Sequence, residues 1–406
     1  MTTQALQMNS KLPEFMINYI QRLLEEREAG KPVVWCSSLA PSAIFKAMGM
    51  ETFFVESYGA VCGGMGFGTD LCKQAEACGY SLDLCSTLKG SLGIVFGNSV
   101  PEGLPMGGLP KPDIVFTMPS CPSIVNAYDR MSRYYDAPML VMEKPRYHDE
   151  LDGDEIRYLV RSGVEELQEI IAFLEKFTGK PFDYDRLQEN VALEKKVSQL
   201  WRDAIALCRN VPAPMSVFDG ISHIYPFYLD RGSVESAAYY QALKEELSDR
   251  VDRKIGAITD EKYRLYWDNA PFSAVADRLA AEGVVPVISG AFFNRGYPDL
   301  DPERPLETIV ESMFFIPGNR SLRWKIDWLT GLVEEYSLDG MLMQRTRFCH
   351  ASNMGQEDMI KAVKNKRGIP GTVLEGDSCD HRLYSESDIN SKVDAFLEIL
   401  THKEPY

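Results

Sequence analysis

The stretch Pro32-Val33-Val34-Trp35-Cys36-Ser37-Ser38 joins a short apolar strand to a polar loop. The pattern then predicts a helix over 41–48 and a second apolar strand, Thr52-Phe53-Phe54-Val55. Two buried strands connected through a helix are typical of a parallel sheet that is covered by helices. The N-terminal part of the chain is therefore predicted to have an α/β fold.

The same alternation continues outward from this stretch and returns near the C-terminus. Further apolar strands are predicted at 114–116, 139–142, 284–288, 341–344 and 372–374. Helices are predicted at 13–29, 123–135, 322–336, 356–366 and 388–400.

Between the two α/β regions, apolar residues recur at helical spacing. Val164, Leu167, Ile171 and Leu174 lie on one face, with glutamates between them. We therefore predict two parallel-sheet α/β domains of the Rossmann or flavodoxin-like type, joined by a mainly helical region. The predicted boundaries are 1–151 for the N-terminal α/β domain, 152–255 for the helical region and 256–406 for the C-terminal α/β domain.

Charge and hydropathy exclude several classes of partner. The 406 residues include 59 acidic and 43 basic side chains, which gives a formal net charge of −16. Such a negative field repels phosphate backbones and anionic lipids, so we expect neither nucleic acid nor membrane as a partner. No segment is apolar for long enough to span a bilayer, and no signal-peptide pattern opens the chain. We expect a cytoplasmic protein.

The chain has nine cysteines, and no two of them form a C-x-x-C pair. Zinc ribbons, thioredoxin-type sites and ferredoxin-type runs are therefore not supported. A reducing cytosol also disfavours structural disulfides. Ordinary packing is expected for four of the nine, namely Cys62, Cys72, Cys78 and Cys208.

Two cysteines occupy equivalent places in the two α/β regions. Cys121 and Cys349 each follow a strand and a short loop, and each precedes a helix; Ser38 follows the first strand in the same way. Ligands of open α/β sheets bind outside the carboxyl ends of the strands, and a helix N-terminus there stabilises a thiolate. Cys85 also enters a possible helix, but its own pattern does not decide between packing and chemistry.

The glycine run Gly63-Gly-Met-Gly-Phe-Gly68 invites comparison with phosphate-binding loops. It matches neither G-x-G-x-x-G nor G-x-x-x-x-G-K-[ST], and no Walker lysine is present. The sequence therefore does not predict ATP hydrolysis by this chain. The five histidines show no metal-binding spacing, although His350 adjoins Cys349.

Five stretches together resemble the 2-hydroxyacyl-CoA dehydratase and benzoyl-CoA reductase family, from about residue 30 to 400. Their order and spacing carry the resemblance more than any one of them does. They are Val34-Trp-Cys-Ser-Ser38, Phe54-Val-Glu-Ser57, Gly79-Tyr-Ser-Leu-Asp-Leu-Cys85, Pro112-Asp-Ile-Val with Ser120-Cys121, and Arg347-Phe-Cys349 with Glu375-Gly-Asp-Ser-Cys-Asp-His-Arg382.

The resemblance implies a [4Fe–4S] cluster held by Cys85, Cys121 and Cys349, with one iron that no cysteine ligates. It also implies that Ser38 lies near the substrate and that Glu56 either carries a proton or only orients a loop. The resemblance suggests supporting or interface roles for three further residues, namely Asp377, Asp380 and Arg382.

The activity that the resemblance implies is a radical elimination carried out without oxygen. A separate ATP-dependent iron–sulfur activator supplies one low-potential electron, and the acyl-CoA thioester becomes a ketyl radical that expels the neighbouring hydroxyl to give an enoyl-CoA. A homologous second subunit completes the enzyme. Here the cofactor performs the difficult step, while the protein supplies position and a dry site.

Other functions remain open from the sequence. A benzoyl-CoA reductase-type enzyme would reduce an aromatic acyl-CoA with the same cluster, and a partner subunit without catalytic activity would only relay electrons. A family member without an acyl-CoA substrate and an α/β binding protein without a cluster are further alternatives. Cationic partners for CoA phosphates could be Lys89, Lys144 and Arg146, although the preferred interpretation of each is an ordinary solvated charge.

Overall fold

The computed structural model describes residues 3–97, 101–103, 109–145, 151–292, 299–383 and 385–401. The α/β fold class is confirmed, because the chain forms two four-stranded sheets whose strands are all parallel. Each strand predicted from the sequence is present, with ends that differ by at most one residue. Arg146 falls outside the described residues.

The N-terminal region contains the first sheet and six helices. Its elements are α1 (Lys11–Glu28), β1 (Val33–Cys36), α2 (Ser42–Ala47), β2 (Glu51–Phe54), α3 (Val55–Gly64), α4 (Gly68–Ala77), α5 (Ser86–Phe96), β3 (Ile114–Thr117), α6 (Pro122–Tyr135) and β4 (Met139–Val141). The helical region follows with α7 (Gly153–Thr178), α8 (Tyr184–Ala206), α9 (Val217–His223), α10 (Tyr225–Asp230) and α11 (Val234–Asp252).

The C-terminal region contains the second sheet. Its elements are β5 (Tyr263–Asp268), α12 (Ala276–Ala281), β6 (Val284–Ser289), α13 (Pro305–Phe314), α14 (Leu322–Glu335), β7 (Gly340–Arg345), α15 (His350–Asn353), α16 (Gln356–Arg367), β8 (Gly371–Glu375) and α17 (Glu386–Thr401).

The two sheets have the same topology. The first has the order β2-β1-β3-β4 and the second the order β6-β5-β7-β8. In each sheet the second strand is added on one side of the first strand, and the third and fourth strands are added on its other side, so the strand order reverses between the two central strands. In register, Trp35 of β1 lies beside Phe53 of β2 and Val115 of β3, and all three are fully buried. A crevice at such a reversal, outside the carboxyl ends of the strands, is where open α/β sheets bind ligands.

The central strand β5 was not predicted from the sequence. Its second residue, Arg264, is charged yet only 4% exposed. The guanidinium pairs with Glu261 and donates to the carbonyl oxygens of Tyr336 and Cys208 at 2.7 and 2.6 Å. Because every one of these partners comes from outside the strand, the local sequence did not indicate that this arginine could be buried.

The apolar cores cross the predicted domain boundaries. Helix α7 packs with β1 and β3 in one core that also contains α13 from the C-terminal region. The approach is close, since a Cβ on Gly163 would lie 2.6 Å from the Val310 side chain. Helix α13, which belongs to the C-terminal region in sequence, thus packs against α7 of the helical region. The division at residues 151 and 255 stays a prediction. In the described part of the chain, every helix is too short or too polar to traverse a bilayer.

The helical region holds the N-terminal segment through a buried histidine. His223 Nδ1 lies 2.6 Å from the Tyr239 hydroxyl, and Nε2 lies 2.8 Å from Asn9 Oδ1. Burial disfavours the imidazolium and lowers the pKa of His223 to about 4, with Asp219 opposing this in part. The folded protein therefore keeps this histidine neutral.

Residues 376–382, which we call the docking segment, connect the second sheet to the first region. The Ser86 hydroxyl donates to Asp377 Oδ2 at 2.8 Å across the two regions. Cys379 of the docking segment lies against two glycines: a Cβ on Gly63 would lie 2.6 Å from its sulfur, and one on Gly68 would lie 2.0 Å from its carbonyl oxygen. The glycine run therefore serves close packing between regions, which agrees with its failure to match a phosphate loop.

Replacement of Gly68 by alanine should weaken this packing. The new methyl group would overlap backbone atoms that cannot rotate away, so we expect Gly68→Ala to lower the free energy of unfolding by about 1–3 kcal/mol. Gly331→Ala is the matched control, because Gly331 is helical and its Cβ would meet nothing within 4 Å. Equal stability of the two variants in urea titrations would contradict this account of the glycine run.

Protonation of His223 should favour the unfolded chain. Between pH 6.5 and pH 4 the unfolded histidine binds a proton that the folded one does not, so stability falls as the pH decreases through this window. The loss should reach about 3 kcal/mol. His223→Gln should flatten the pH dependence of the free energy of unfolding, whereas the exposed control His350→Gln should leave it unchanged. The same slope in both variants would disprove this origin.

Candidate functional site

The loop after β1 lies in the crevice of the first sheet. The Ser37 hydroxyl accepts from the Met118 N–H at 3.1 Å, which joins this loop to the one after β3. Ser38 follows and is 4% exposed. Its N–H donates to Glu56 Oε1 at 2.8 Å, and its hydroxyl lies 3.4 Å from that of Ser57. Two of the predicted site residues, Ser38 and Glu56, are thus in direct contact.

An arginine from the helical region completes the support of this loop. Arg231 is 8% exposed, and its guanidinium donates to the carbonyl oxygen of Ser38. The guanidinium carbon lies 4.8 Å from the ring centre of Phe54 and 5.4 Å from that of Phe227. Cation–π contact on both rings restrains a long side chain that would otherwise be mobile.

Cys121 lies at the neighbouring edge of the same crevice. It is the N-cap residue of α6, four residues after β3 ends at Thr117. Burial raises the pKa of this thiol, the amide of Ile124 opposes the rise, and the Glu56 carboxylate adds to it. The Coulombic influence of Glu56 connects Cys121 to the Ser38 loop.

Cys349 repeats this arrangement in the second sheet. It is the N-cap residue of the short helix α15, four residues after β7 ends at Arg345. The prediction that the two cysteines occupy equivalent places is confirmed. His350, the first residue of α15, is exposed.

Cys85 is the N-cap residue of a third helix, α5. Burial raises the pKa of its thiol to about 12, while the amide of Leu88 opposes the rise and the negative charge of a Cys349 thiolate would add to it. The sulfur makes no full capping hydrogen bond, yet the N-terminal amides still favour its thiolate form.

The three predicted ligands influence one another electrostatically. A Cys349 thiolate would raise the pKa of both Cys85 and Cys121, so the three thiols lie within range of one another's charge; that they bind one cluster stays a prediction. They are also the three cysteines that are partly exposed: Cys78 is exposed, and the other five are buried. A partly exposed thiol can be reached by a cofactor and is still largely shielded from bulk water.

The chemistry of this donor set fits an iron–sulfur cluster. Such clusters bind through cysteine thiolates, and helix amides favour the thiolate form of Cys85 and Cys121. Within the described ranges, no three His, Cys, Asp or Glu side chains are grouped tightly enough to hold one metal ion. A cluster makes a different demand, because each thiolate binds a different iron atom. The raised pKa values mean that the Cys85 and Cys121 thiols must lose protons when they bind iron.

The docking segment lies beside this site. Arg382 pairs with Asp380 and makes two hydrogen bonds to Glu76 of α4, at 2.9 and 2.7 Å. Asp377 Oδ1 accepts from the N–H groups of Cys379 and Asp380, both at 2.8 Å. The sequence suggested supporting or interface roles for Asp377, Asp380 and Arg382. These three residues of the docking segment contact residues of the N-terminal region, namely Ser86, Lys89 and Glu76.

Lys89 does not face solvent, and its suggested contact with CoA phosphate is wrong. The side chain is 0% exposed and donates to Glu76 Oε1 at 2.8 Å. An ammonium that is sealed and already paired with a carboxylate cannot reach a phosphate group. Lys144 is partly exposed, so its suggested role stays a prediction.

The charged residues that hold the Ser38 loop from the helical region were not predicted from the sequence. Besides Arg231, Glu194 of α8 accepts a hydrogen bond from the Ser42 hydroxyl at 2.5 Å and is itself buried. The one local signal was a pair of charges, Asp230-Arg231, that follows an apolar run. That signal indicates buried charges without indicating their partners: Asp230 pairs with Arg22 and Lys46, and Arg231 donates to Ser38.

Removal of the Glu56 carboxylate should loosen the Ser38 loop. A hydrogen bond to a charged acceptor contributes about 1.5–3 kcal/mol, so Glu56→Ala should speed amide hydrogen exchange at residues 36–40 by about tenfold or more. Glu51→Ala, at the opposite end of β2, is the control and should leave these amides unchanged. Slow exchange in both variants would mean that other contacts hold the loop.

Comparison with known proteins connects this site to a family. A sequence model of the 2-hydroxyglutaryl-CoA dehydratase D-component family matches residues 37–400. A benzoyl-CoA reductase subunit of Thauera aromatica is 25% identical over 97% of this chain and 94% of its own length. The alpha subunit of (R)-phenyllactyl-CoA dehydratase from Clostridium sporogenes is 24% identical over 94% of this chain and 92% of its own length.

A third relative is the alpha subunit of (R)-2-hydroxyglutaryl-CoA dehydratase from Acidaminococcus fermentans, 22% identical over 94% of both chains. Dehydratases and a reductase of acyl-CoA compounds thus match the chain over nearly its whole length, and each of these relatives is named as a subunit. The match includes the loops that carry Ser38, Cys85, Cys121 and Cys349. The chain belongs to the 2-hydroxyglutaryl-CoA dehydratase D-component family, to which its sequence motifs pointed.

Proposed function

We propose that this chain is the iron–sulfur subunit of an enzyme that eliminates water from a 2-hydroxyacyl-CoA. The observation that carries the proposal is that the three partly exposed cysteines all stand at helix starts and influence one another electrostatically, with Glu56 of the Ser38 site acting on Cys121. The family supports the substrate class, since several relatives are named as dehydratases of 2-hydroxyacyl-CoA compounds.

Cys85, Cys121 and Cys349 would hold a [4Fe–4S] cluster that has one iron without a cysteine ligand. When bound, this group supplies one-electron chemistry at low potential, which no protein side chain provides. The chain contributes amides at two helix N-termini, those of Leu88 and Ile124, which offset the negative charge of the Cys85 and Cys121 thiolates. Desolvation of the Cys85 and Cys121 thiols indicates that the chain also limits the access of bulk water there.

Ser38 would bind the substrate beside this centre. Its hydroxyl could donate to the thioester oxygen or to the departing hydroxyl group. Glu56 and Arg231 contact the two backbone polar groups of Ser38, one accepting from the N–H and the other donating to the carbonyl. This contact supports an orienting role for Glu56; a role as proton carrier would require its other carboxylate oxygen to reach the substrate.

The proposed enzyme includes a homologous second subunit and an ATP-dependent iron–sulfur activator. Two observations support partners of this kind: the relatives are named as subunits, and this chain has no Walker motif of its own. We further propose that the enzyme works in the cytoplasm.

Reduction of an aromatic acyl-CoA is the second candidate function. The relative with 25% identity is a benzoyl-CoA reductase subunit, against 22–24% for the named dehydratases. Both activities would use the same three cysteines, so the geometry of the site supports either.

Iron analysis after anaerobic purification tests the cysteine assignment. The wild-type chain should contain about four irons and four sulfides. Each of the variants Cys85→Ser, Cys121→Ser and Cys349→Ser should retain only a small fraction of this iron content. Cys208→Ser is the control, because Cys208 is buried within the helical region and should keep full iron. Full iron in Cys121→Ser would refute the ligand set.

The same anaerobic preparation, purified with the proteins that accompany it, would distinguish the two reactions. Conversion of a 2-hydroxyacyl-CoA to an enoyl-CoA supports the proposed dehydratase, whereas consumption of reductant with benzoyl-CoA supports the second candidate. Activity toward neither substrate from a cluster-loaded preparation with its activator would contradict both.

A further inference from the structure

Lys89 is a fully buried lysine that lies between two of the proposed ligand loops. Its ammonium donates to Glu76 Oε1 at 2.8 Å and to the Leu82 carbonyl oxygen at 3.0 Å, and it lies 3.6 Å from Asp380 Oδ2. On another side it lies 5.6 Å from the ring centre of Phe348, the residue before Cys349. One charged group therefore contacts α4, the turn before Cys85, the docking segment and the Cys349 loop.

The burial of this ammonium requires a complete set of partners. Desolvation of a lysine costs several kcal/mol unless nearby charges and acceptors offset it. Here Glu76 and Asp380 supply two negative charges, and Arg382, which contacts both, supplies the second positive charge. The group of four is neutral, and the docking segment supplies Asp380 and Arg382, so without that segment the ammonium would keep one of its two carboxylates.

The lysine holds the Cys85 loop from two directions. Its backbone N–H donates to the Cys85 carbonyl oxygen at 2.8 Å, as the first helical bond of α5, and its side chain reaches back to Leu82. The turn 82–85 is therefore closed onto its own helix by a single residue. The exposed pair of Arg347 and Asp83, 3.0 Å apart, adds little because solvent screens it.

The contact with Phe348 extends this control to the other loop. Cation–π attraction strengthens when the cation is desolvated, as it is here. Phe348 is partly buried and directly precedes Cys349. Displacement of the ammonium would release the Cys349 loop from the Cys85 turn at the same time.

We propose that Lys89 is a positioning residue that sets the separation of the Cys85 and Cys349 thiols. The inference rests on the proposed function, in which both thiols bind one cluster, and it assigns to Lys89 the task of keeping them in register before any cluster is present. Its role is to hold the Cys85 turn of the N-terminal region against the Cys349 loop of the C-terminal region.

Cross-linking of the cluster-free chain tests this proposal without any activity measurement. Dibromobimane bridges two thiols that lie close together, and mass spectrometry of the digested protein identifies the peptides joined. The wild-type chain should yield an 85–349 cross-link. Lys89→Met should lower that yield by about fivefold or more, because the effective concentration of one thiol near the other falls when its loop is released.

Lys73→Met is the matched control, since Lys73 of α4 also pairs with a carboxylate but is exposed to solvent. It should retain the wild-type yield. Circular dichroism and the unfolding midpoint are recorded for each variant, so that a loss of stability alone is separated from a loss of register. A native-like Lys89→Met chain with the full 85–349 yield would overturn the proposal.

Phe348→Leu tests the same bridge from the other loop if Lys89→Met does not fold. It removes the cation–π contact from a partly buried position, and the 85–349 yield should again fall. An undiminished yield would count against Lys89. A wild-type chain that gives no 85–349 cross-link would instead refute the shared cysteine site, and with it the proposed function.

Discussion

The contact between the docking segment and helices α4 and α5 is the constraint on which the site depends. Each sheet can form from its own strands, but neither sheet specifies how far its cysteine loop stands from that of the other. Asp377 resolves this by accepting from Ser86 at the start of α5 and from two amides of its own segment. A buried carboxylate needs donors around it, so these three hydrogen bonds favour the arrangement in which the docking segment meets the start of α5.

Duplication of one topology explains why the site has two similar halves. In both sheets the chain changes direction between the two central strands, and a cysteine caps the helix that follows the third strand in sequence. The halves differ in what surrounds that cysteine. The first supplies a buried serine loop held by Glu56 and Arg231, while the cysteine of the second acts electrostatically on Cys85 of the first region.

Local patterns predicted the strands well where burial is apolar and failed where it is polar. The run from Val33 to Cys36 is apolar throughout, and its strand was predicted to within one residue. Strand β5 contains Arg264, whose partners lie up to 72 residues away, and it was missed. Lys89 was misinterpreted for the same reason: its carboxylate partner Asp380 belongs to the docking segment, near the far end of the chain.

The sequence by itself determined the parallel α/β units and the place of Cys121 and Cys349 at helix starts, because strand, loop and helix signals act over a few neighbouring residues. Only the tertiary structure decided that Cys85 lies within the electrostatic influence of Cys349 and that Arg231 supports Ser38. Those relations depend on contacts such as Ser86 with Asp377, 291 residues apart. Closure of so long a loop is favourable only after many other surfaces have been buried, and no local pattern encodes that sum.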